Sequence, residues 1–407
     1  MKILIISNLY PPHYIGGYEL GCRDVVEGLK AHGHEIKVLT STYGISKQDA
    51  NNEIYRWLVL DLKWRNNKKS FHYLFNIFKK EIINQQAFKK ILDIYKPDLV
   101  YIWNLSNISV SLVFIAEQLR LPVCYYIFDN WLSQWEYDGW YSLWNNHILK
   151  VIGKSGKKII NSFMKAVHLP PFFSFLNLRH VQFASQYLKE LTLQSGKPVG
   201  GGEVIHWGID TNKYIYRKAY NDIPKRLLYV GQIVPQKGVY TAIEALKLIV
   251  QKINTITLTI VGGSVIKGYE EQVHNFVHSL GLGNNVRFTG LISHENMPHI
   301  YNEHDILIFP SLWDEPFGIT ILEAMASGLV VVGTATGGSG EILQHEINAL
   351  VFPKGDANAC AAELLRLIED PGLFNRLKQN AGNIVKEKFS FERTINRIEA
   401  SLLDSLL

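Results

Sequence analysis

The sequence predicts an α/β protein of two domains, each a doubly wound parallel sheet covered by helices. Short apolar runs alternate with amphipathic stretches along the whole chain, which is typical of parallel sheets. The alternation restarts near the middle of the chain, at RLLYVG. A chain of 407 residues is also too long for one ordinary core and suits two domains of about 200 residues each.

Each half of the sequence has its own ordered set of elements. The first half gives strands at KILIIS, EIKVLT, DLVYIW, VCYYIF and HVQFAS, with helices near Glu19–Lys30 and Val110–Leu119 and a long basic helical region between the second and third strands. The second half gives strands at RLLYVG, ITLTIVGG, NVRFTG, DILIFPS, VVVGT and ALVFP, with helices from Tyr240 and over Ile321–Ser327.

The polar segment after HWGID predicts the domain boundary. We expect an N-terminal domain over 1–210, a C-terminal domain over 211–385, and a final helical segment over 386–407 that crosses back to the first domain. Both domains are expected to be Rossmann-like.

Composition excludes several classes of protein. Hydrophobic residues make up 47% and charged residues 19% of the chain, which is typical of a globular protein. Three scattered cysteines argue against a disulfide framework and for a reducing compartment. The opening MKILIISNLYPP predicts a buried strand and not a signal peptide, and no apolar run is long enough to span a membrane. We therefore expect a cytoplasmic protein.

The charge is unevenly distributed. Residues 1–200 carry 24 Lys and Arg against 15 Asp and Glu, a balance of +9, whereas the remainder carries 18 against 22, a balance of −4. The excess lies mainly in residues 64–90 and 150–197. This favours an anionic partner, either a lipid pyrophosphate or the inner face of the cytoplasmic membrane, and solvated helix faces are the alternative interpretation. Nucleic acid is not an expected partner.

The densest functional motif is SLWDEPFGITILEAMASG, which follows an apolar strand and enters a helix. Its loop therefore lies at the carboxyl end of a parallel strand, where ligands bind in open α/β sheets. Glu315 and Glu323 can both project there, and a carboxylate can accept bonds from the vicinal hydroxyls of a sugar or a ribose. An acidic helix cap beside a surface glutamate is the structural alternative.

In these motifs the sequence resembles glycosyltransferase family 4, the retaining GT-B enzymes. The resemblance covers nearly the whole chain and implies two facing Rossmann-like domains with a donor cleft between them and metal-independent catalysis. It implies that Glu315 contacts the donor sugar hydroxyls and that Glu323 binds the ribose. The remaining implied donor contacts are backbone amides, at Phe317 and Gly318 for the sugar and at Ile319 and Thr320 for the phosphates.

Three other segments resemble the family's donor-binding motifs. In LLYVGQIVPQKG, Lys237 would sit beside the pyrophosphate, but Gln232 stands where the family normally has an arginine. In NLYPPHYIGGYELG, Gly16 and Gly17 would let the backbone approach the ligand, with the Gly17 amide near the distal phosphate, although a tight structural turn is also possible. After NVRFTG, relatives hold the base through backbone groups near Leu291 and Ile292.

The acceptor side departs from the family. Many relatives have a His-Asp pair at the strand end, and this chain has Phe128 followed by Asp129. Asp129 could act as a base for the acceptor hydroxyl or orient it. Trp131 and Trp135, with Trp140 and Trp144 nearby, could stack on an acceptor sugar, although core packing or a membrane-facing loop would use the same residues.

The resemblance implies a catalyst without a cofactor, with a nucleotide sugar as substrate and no metal. UDP-glucose is the expected donor, and an envelope glycan or lipid-linked glycan, as in bacterial or cyanobacterial relatives, is the expected acceptor. A dehydrogenase would need a G-x-G-x-x-G turn directly after the first strand, and NLYPPHYIGG cannot form one. A sugar-nucleotide-binding subunit without activity and a GT-B epimerase stay open as alternatives. A phosphorylase would need a much longer chain.

Overall fold

The chain forms two compact units. The computed structural model describes residues 1–44, 53–60, 71–134, 138–145, 154–166, 178–216 and 224–407. Unit 1 comprises Met1–Ala184, Leu188–Ile205 and Ile395–Leu407, and unit 2 comprises Ser185–Tyr187 and His206–Thr394. The division after Ile205 falls a few residues before the predicted boundary at 210, and the final residues group with unit 1.

Unit 1 contains a parallel sheet. Within the described residues its seven strands lie in the order β3-β2-β1-β4-β5-β6-β7. They are β1 (Lys2–Ser7), β2 (Glu35–Ser41), β3 (Ile54–Leu58), β4 (Leu99–Asn104), β5 (Val123–Ile127), β6 (His180–Phe183) and β7 (Glu203–Val204). The helices along this part of the chain are α1 (Gly17–Ala31), α2 (Phe71–Tyr95), α3 (Ser111–Gln118), α4 (Gly139–Asn145), α5 (Lys154–Ala166) and α6 (Gln186–Gln194).

Unit 2 contains a second parallel sheet. Its six strands, counted over the described part of the chain, lie in the order β10-β9-β8-β11-β12-β13. They are β8 (Arg226–Val230), β9 (Thr257–Val261), β10 (Val286–Gly290), β11 (Ile306–Phe309), β12 (Val330–Gly333) and β13 (Ala349–Val351). The helices are α7 (Val239–Val250), α8 (Tyr269–Ser279), α9 (Met297–Asn302), α10 (Ile319–Ala326), α11 (Ala357–Glu369), α12 (Pro371–Lys388) and α13 (Phe391–Asp404), the last of which continues into unit 1.

The predicted architecture is confirmed, because every strand pair in both sheets is parallel and the strand order reverses once in each sheet. The reversal lies between β1 and β4 in unit 1 and between β8 and β11 in unit 2. Beside such a reversal, consecutive connections leave in opposite directions and open a crevice at the carboxyl ends of the strands. Each sheet therefore places one candidate site at that edge.

The strands form where the sequence is continuously apolar because both faces of each sheet are covered by helices. In unit 2 the core is built from β8, β9, β11 and β12 with the inner faces of α7, α8, α11 and α12. Within the described residues, no helix is both long enough and apolar enough to span a bilayer.

Candidate functional site

The strand reversal of unit 2 brings together the two loops that carry the strongest motifs. Lys237 lies in the short helical turn after β8, and Glu315 lies in the loop after β11, the strand beside it. Gly238 lets these segments touch, because a Cβ there would lie 2.0 Å from the carbonyl oxygen of Pro310, and its φ of 68° is in the left-handed region. The close approach fixes the spacing between the two charged side chains.

Lys237 and Glu315 form an ion pair in which the glutamate is buried and the lysine is partly exposed. The Lys237 Nζ lies 2.8 Å from both carboxylate oxygens of Glu315, and the Ser311 hydroxyl donates to Glu315 Oε1 at 2.6 Å. Glu315 is buried, whereas 32% of the Lys237 side chain is exposed. An ammonium has three donors. Lys237 can therefore hold Glu315 and still direct a donor toward an anion.

A glycine turn supports the backbone of the Glu315 loop. The Gly338 N–H donates to the Glu315 carbonyl at 2.6 Å, and Glu315 and Gly337 form a parallel bridge. A Cβ on Gly338 would lie 2.2 Å from the Pro316 carbonyl oxygen. Only residues without side chains allow this contact, so the GGSGE motif has a structural role in placing Glu315.

Helix α10 begins at the end of the same loop. Gly318 precedes it with φ of 125° and ψ of 60°, a conformation that favours glycine. The N–H groups of Ile319 and Thr320 have no hydrogen-bond acceptor in the part of the chain that the structure describes. Such amides at a helix N-terminus can bind phosphate or hydroxyl oxygens. Phe317 is 1% exposed, and its ring stacks on His206 with centroids 5.9 Å apart, which anchors the loop.

Glu323 lies inside unit 2 and not on its surface. Its Oε1 accepts from the Tyr214 hydroxyl at 3.0 Å and lies 3.1 Å from His294 Nε2, and its Oε2 accepts from the Tyr301 hydroxyl at 2.8 Å. Tyr214 and Tyr301 are buried, whereas 30% of the His294 side chain is exposed. A surface-glutamate interpretation is therefore wrong. A carboxylate offers about four acceptor positions, so roughly one remains for a ligand.

The segment after β10 presents an exposed apolar residue at the same edge of the sheet. Leu291 is 84% exposed and Ile292 is half-buried. Beside Leu291 lies Gly263, where a Cβ would come within 3.3 Å of the leucine side chain. Such an open apolar surface could cover one face of a planar base.

Gln232 follows β8 and is half-buried. Its carbonyl accepts from the Tyr229 hydroxyl at 2.9 Å and from the Val234 N–H at 3.1 Å, so its backbone is fixed. Lys237 is the cation that the structure places at Glu315.

In unit 1 the loop after β1 leads into α1 through Gly16 and Gly17. The buried Glu19 carboxylate accepts from the N–H groups of Ile15 and Gly16, both at 3.0 Å, and burial raises the pKa of Glu19. The Gly16 amide is thus already bonded and offers a ligand no free donor. Gly17 is the first residue of α1, and its contact with a phosphate stays a prediction.

Asp129 follows β5 and lies at the carboxyl edge of the sheet in unit 1. Its Oδ2 accepts from Asn104 Nδ2 at 2.8 Å, and its Oδ1 accepts from the Trp131 N–H at 3.0 Å. Desolvation raises the pKa of Asp129 to about 6, against the lowering effect of these two bonds. The carboxylate is held in one orientation and can exchange a proton near neutral pH.

Of the interpretations left open for Trp131, the structure supports core packing and does not support the role as a stacking surface for an acceptor sugar. Trp131 is 7% exposed, and its Nε1 donates to the Trp103 carbonyl at 3.1 Å. It packs in the interior because its apolar ring is removed from water there and its Nε1–H has a hydrogen-bond acceptor. Trp140 is also buried, and Trp135 lies outside the described residues.

Sequence comparison assigns both halves of the chain. Residues 15–213 match the model of Glycosyltransferase Family 4, and residues 211–383 match that of Glycosyl transferases group 1. The chain belongs to glycosyltransferase family 4. An uncharacterized glycosyltransferase of Methanocaldococcus jannaschii is 28% identical over 96% of this chain and 95% of its own length.

One further relative is also named a glycosyltransferase, and a solved structure shares the fold. The amylovoran biosynthesis glycosyltransferase AmsK of Erwinia amylovora is 32% identical over 42% of this chain and 43% of its own. Anabaena HepE, solved in complex with UDP and glucose, superposes with a TM-score of 0.67 at 21% identity, covering 100% of both chains. The fold is therefore GT-B.

Several side chains of the glycosyltransferase site were not predicted. Ser311 ends the DILIFPS strand, so its position at the sheet edge was a usable signal. Tyr214, His294 and Tyr301 have no such signal, because they are separated from Glu323 by 109, 29 and 22 residues. Asn104 ends β4 and could have been placed beside Asp129 from the strand order alone.

Proposed function

We propose that this glycosyltransferase transfers a hexose, glucose from UDP-glucose, to a glycan or lipid-linked glycan acceptor, with retention of configuration and without a metal ion. The observation that carries the proposal is the Lys237–Glu315 pair at the strand reversal of unit 2, beside the open N-terminus of α10. A cation, a carboxylate and free amides at this edge match the phosphates and hydroxyls of a nucleotide sugar.

Each group has a proposed task in donor binding. Glu315 accepts from sugar hydroxyls, and the amides of Ile319 and Thr320 bind phosphate oxygens. Lys237 stabilises the charge that develops on the leaving diphosphate, as a preorganised cation does in many active sites. The remaining acceptor position of Glu323 takes a ribose hydroxyl. The Anabaena neighbour was solved with UDP and with UDP-glucose, which supports uracil and glucose as the first choice.

A donor panel tests this assignment. Purified protein is incubated with UDP-, GDP-, ADP- and dTDP-hexoses, and slow hydrolysis or transfer is followed together with thermal shifts by each nucleoside diphosphate and by NAD. We expect stabilisation by UDP, turnover of UDP-glucose and silence with NAD. Turnover of a different nucleotide sugar would replace UDP-glucose as the donor and keep the glycosyltransferase activity. Stabilisation by NAD alone would overturn the proposed function.

Retention has a direct stereochemical test. In the proposed reaction the acceptor oxygen forms its bond to the anomeric carbon on the face from which the diphosphate leaves. The carbon–phosphate-oxygen bond breaks, and the departing phosphate takes the acceptor proton. No protein nucleophile is needed. An α-linked donor should therefore give an α-linked product in the anomeric proton spectrum, and a β-linked product would refute retention.

The proposed acceptor role rests on Asp129. Its fixed carboxylate would orient the acceptor hydroxyl, in place of the histidine that many relatives have where this chain has Phe128. The AmsK relative acts in amylovoran biosynthesis, which supports a glycan acceptor for this chain. The basic N-terminal half favours an acceptor presented at an anionic membrane, with the enzyme peripheral on the inner face of the cytoplasmic membrane.

A binding subunit without activity is the second candidate, favoured by Gln232 and Phe128, which remove a charge and a titratable group. Such a protein would bind UDP-glucose and leave it intact. An absence of both hydrolysis and transfer, with a normal UDP thermal shift, would select it over the enzyme. A sugar-nucleotide epimerase would instead convert the donor into its epimer in the same assay.

A further inference from the structure

Asn104, the last residue of β4, holds the Asp129 carboxylate from the neighbouring strand. Its side chain is 1% exposed, so its amide must find its partners inside the protein. Its Oδ1 accepts from the Ser106 N–H at 2.7 Å, and its Nδ2 donates to Asp129 Oδ2 at 2.8 Å. Because a backbone N–H can only donate, the bond to Ser106 fixes which end of the amide is the oxygen. Asn104 therefore presents an N–H group, and not an oxygen, to Asp129.

The Ser106 backbone that orients Asn104 is itself held from the first strand. Its carbonyl accepts from Asn8 Nδ2 at 3.3 Å, and Asn8 Oδ1 accepts from the Tyr18 hydroxyl at 2.7 Å. Asn8 directly follows β1 and is buried. These contacts join the carboxyl ends of β1 and β4, the two strands between which the order reverses in unit 1. The amide that faces Asp129 is thus supported by both strands.

The interior around Asp129 disfavours its charge, and hydrogen bonds oppose that effect. Burial is the largest influence and raises the pKa of Asp129 to about 6, while the bonds from the Trp131 N–H and from Asn104 lower it. In α1, burial raises the pKa of the Tyr18 hydroxyl well above its usual range, and the carboxylates of Glu19 and Asp129 raise it further. Within the residues that the structure describes, neutral N–H donors and not a cation therefore favour the ionised form of Asp129.

We infer that Asn104 is a positioning residue for the transfer reaction, because its N–H group holds Asp129 as a carboxylate in a single orientation. The inference rests on the role that the proposed function gives to Asp129. The second donor to this carboxylate, the Trp131 N–H, belongs to the backbone, so Asn104 is the donor that depends on a side chain. Without it, Asp129 would stay protonated to a higher pH. A protonated carboxyl cannot accept the proton of an acceptor hydroxyl in the same way.

The charge of Asp129 can be followed in the full chain without an acceptor. The infrared band of its protonated carboxyl is the one that Asp129→Asn removes, and its intensity is titrated against pH. The test variant is Asn104→Leu, which has nearly the same size and no donor. The matched control is Asn84→Leu, because Asn84 is likewise buried in unit 1 and its amide bonds the Val59 N–H at 2.7 Å and the Val59 carbonyl at 3.1 Å. Hydrolysis of UDP-glucose by water is followed over the same pH range, and the thermal shift with UDP checks that each variant is folded.

We expect the midpoint for Asp129 to lie near pH 6 in the wild type and the control, and to rise by about one pH unit in Asn104→Leu. The acid side of the hydrolysis profile should move with it. An unchanged midpoint would overturn the inference, and so would a rate that falls equally at every pH, which a purely structural role predicts. A midpoint that moves while wild-type hydrolysis is flat with pH or absent would instead refute the proposed role of Asp129, and the positioning role with it.

If Asn104→Leu does not fold, Asn104→Asp decides the question. It keeps the size of the side chain and the acceptor for the Ser106 N–H, and it replaces the donor to Asp129 by a carboxyl oxygen. Two carboxyl groups in contact do not both ionise readily, so the acid side of the hydrolysis profile should move upward by about one pH unit or more. A profile that coincides with that of the wild type would overturn the inference.

Discussion

Replacing Glu323 by glutamine should remove most of the enzyme's ability to recognise ribose hydroxyls. Three donors already occupy the carboxylate, at 3.0 Å from Tyr214, 3.1 Å from His294 and 2.8 Å from Tyr301, so about one acceptor position is left for a ligand, which we propose is the ribose. A hydrogen bond from a ribose hydroxyl to a carboxylate contributes about 1.5–3 kcal/mol. At 1.4 kcal/mol for each tenfold, that is roughly a 10- to 100-fold preference for UDP over its 2′,3′-dideoxy analogue.

In Glu323→Gln the same bond becomes neutral and contributes only about 0.5–1.5 kcal/mol, so the preference should fall to about tenfold or less. Titration calorimetry with both nucleotides measures the two ratios. The amide also meets three donors with one fewer acceptor, so the variant should lose roughly 1–3 kcal/mol of unfolding free energy. Glu303→Gln, at an exposed glutamate after α9, is the control for charge. A folded Glu323→Gln protein that discriminates as strongly as the wild type would refute the assignment.

Three further changes test the rest of the site. Lys237→Ala should lower turnover severely, which kinetics measure. It should also lower the free energy of unfolding by about 1–3 kcal/mol in urea titrations, because the buried Glu315 keeps only Ser311 as a partner in this cluster. The loss is smaller than for a fully buried pair because Lys237 is partly exposed. Asp129→Asn should lower transfer strongly at unchanged UDP affinity. With a pKa of about 6, Asp129 is ionised above that value, so wild-type transfer should fall as the pH drops below about 6, and a flat profile would contradict its role. Excess chelator should leave turnover intact, and restoration of a lost rate by manganese or magnesium would exclude the metal-independent mechanism.

Long apolar runs made most of the sheet predictable from sequence, and tertiary partners explain what was missed. The strand β3 contains Arg56 in the sequence IYRWL and does not look like a buried strand. Arg56 is nevertheless buried, because its guanidinium donates to the carbonyls of Tyr10 and Pro11, the latter at 2.6 Å. These two acceptors precede Arg56 by 46 and 45 residues, so the local sequence pattern could not predict that Arg56 would be buried with its hydrogen bonds satisfied.

The candidate site also contains contacts between distant segments that the local sequence pattern could not predict. The position of the Glu315 loop was predictable because the SLWDEPFG motif directly follows an apolar strand in the sequence. Its ion pair with Lys237 was not, because it depends on which strand lies beside which. Trp131 was ambiguous in sequence, since a tryptophan beside a carboxylate suits a sugar platform and a core equally well. Burial decided that question, and no local signal reports burial for an isolated aromatic residue.

The division of the chain has a consequence for its synthesis. Unit 1 is completed by Ile395–Leu407, where Glu399 lies 2.7 Å from both His32 Nδ1 and His34 Nε2 and Arg397 donates to Glu203. A ribosome makes these residues only after the whole of unit 2. Domains usually fold in order from the N-terminus as they emerge. Here the last stretch of unit 1 is translated after all of unit 2, so the contacts of Glu399 and Arg397 can form only once unit 2 has its full sequence.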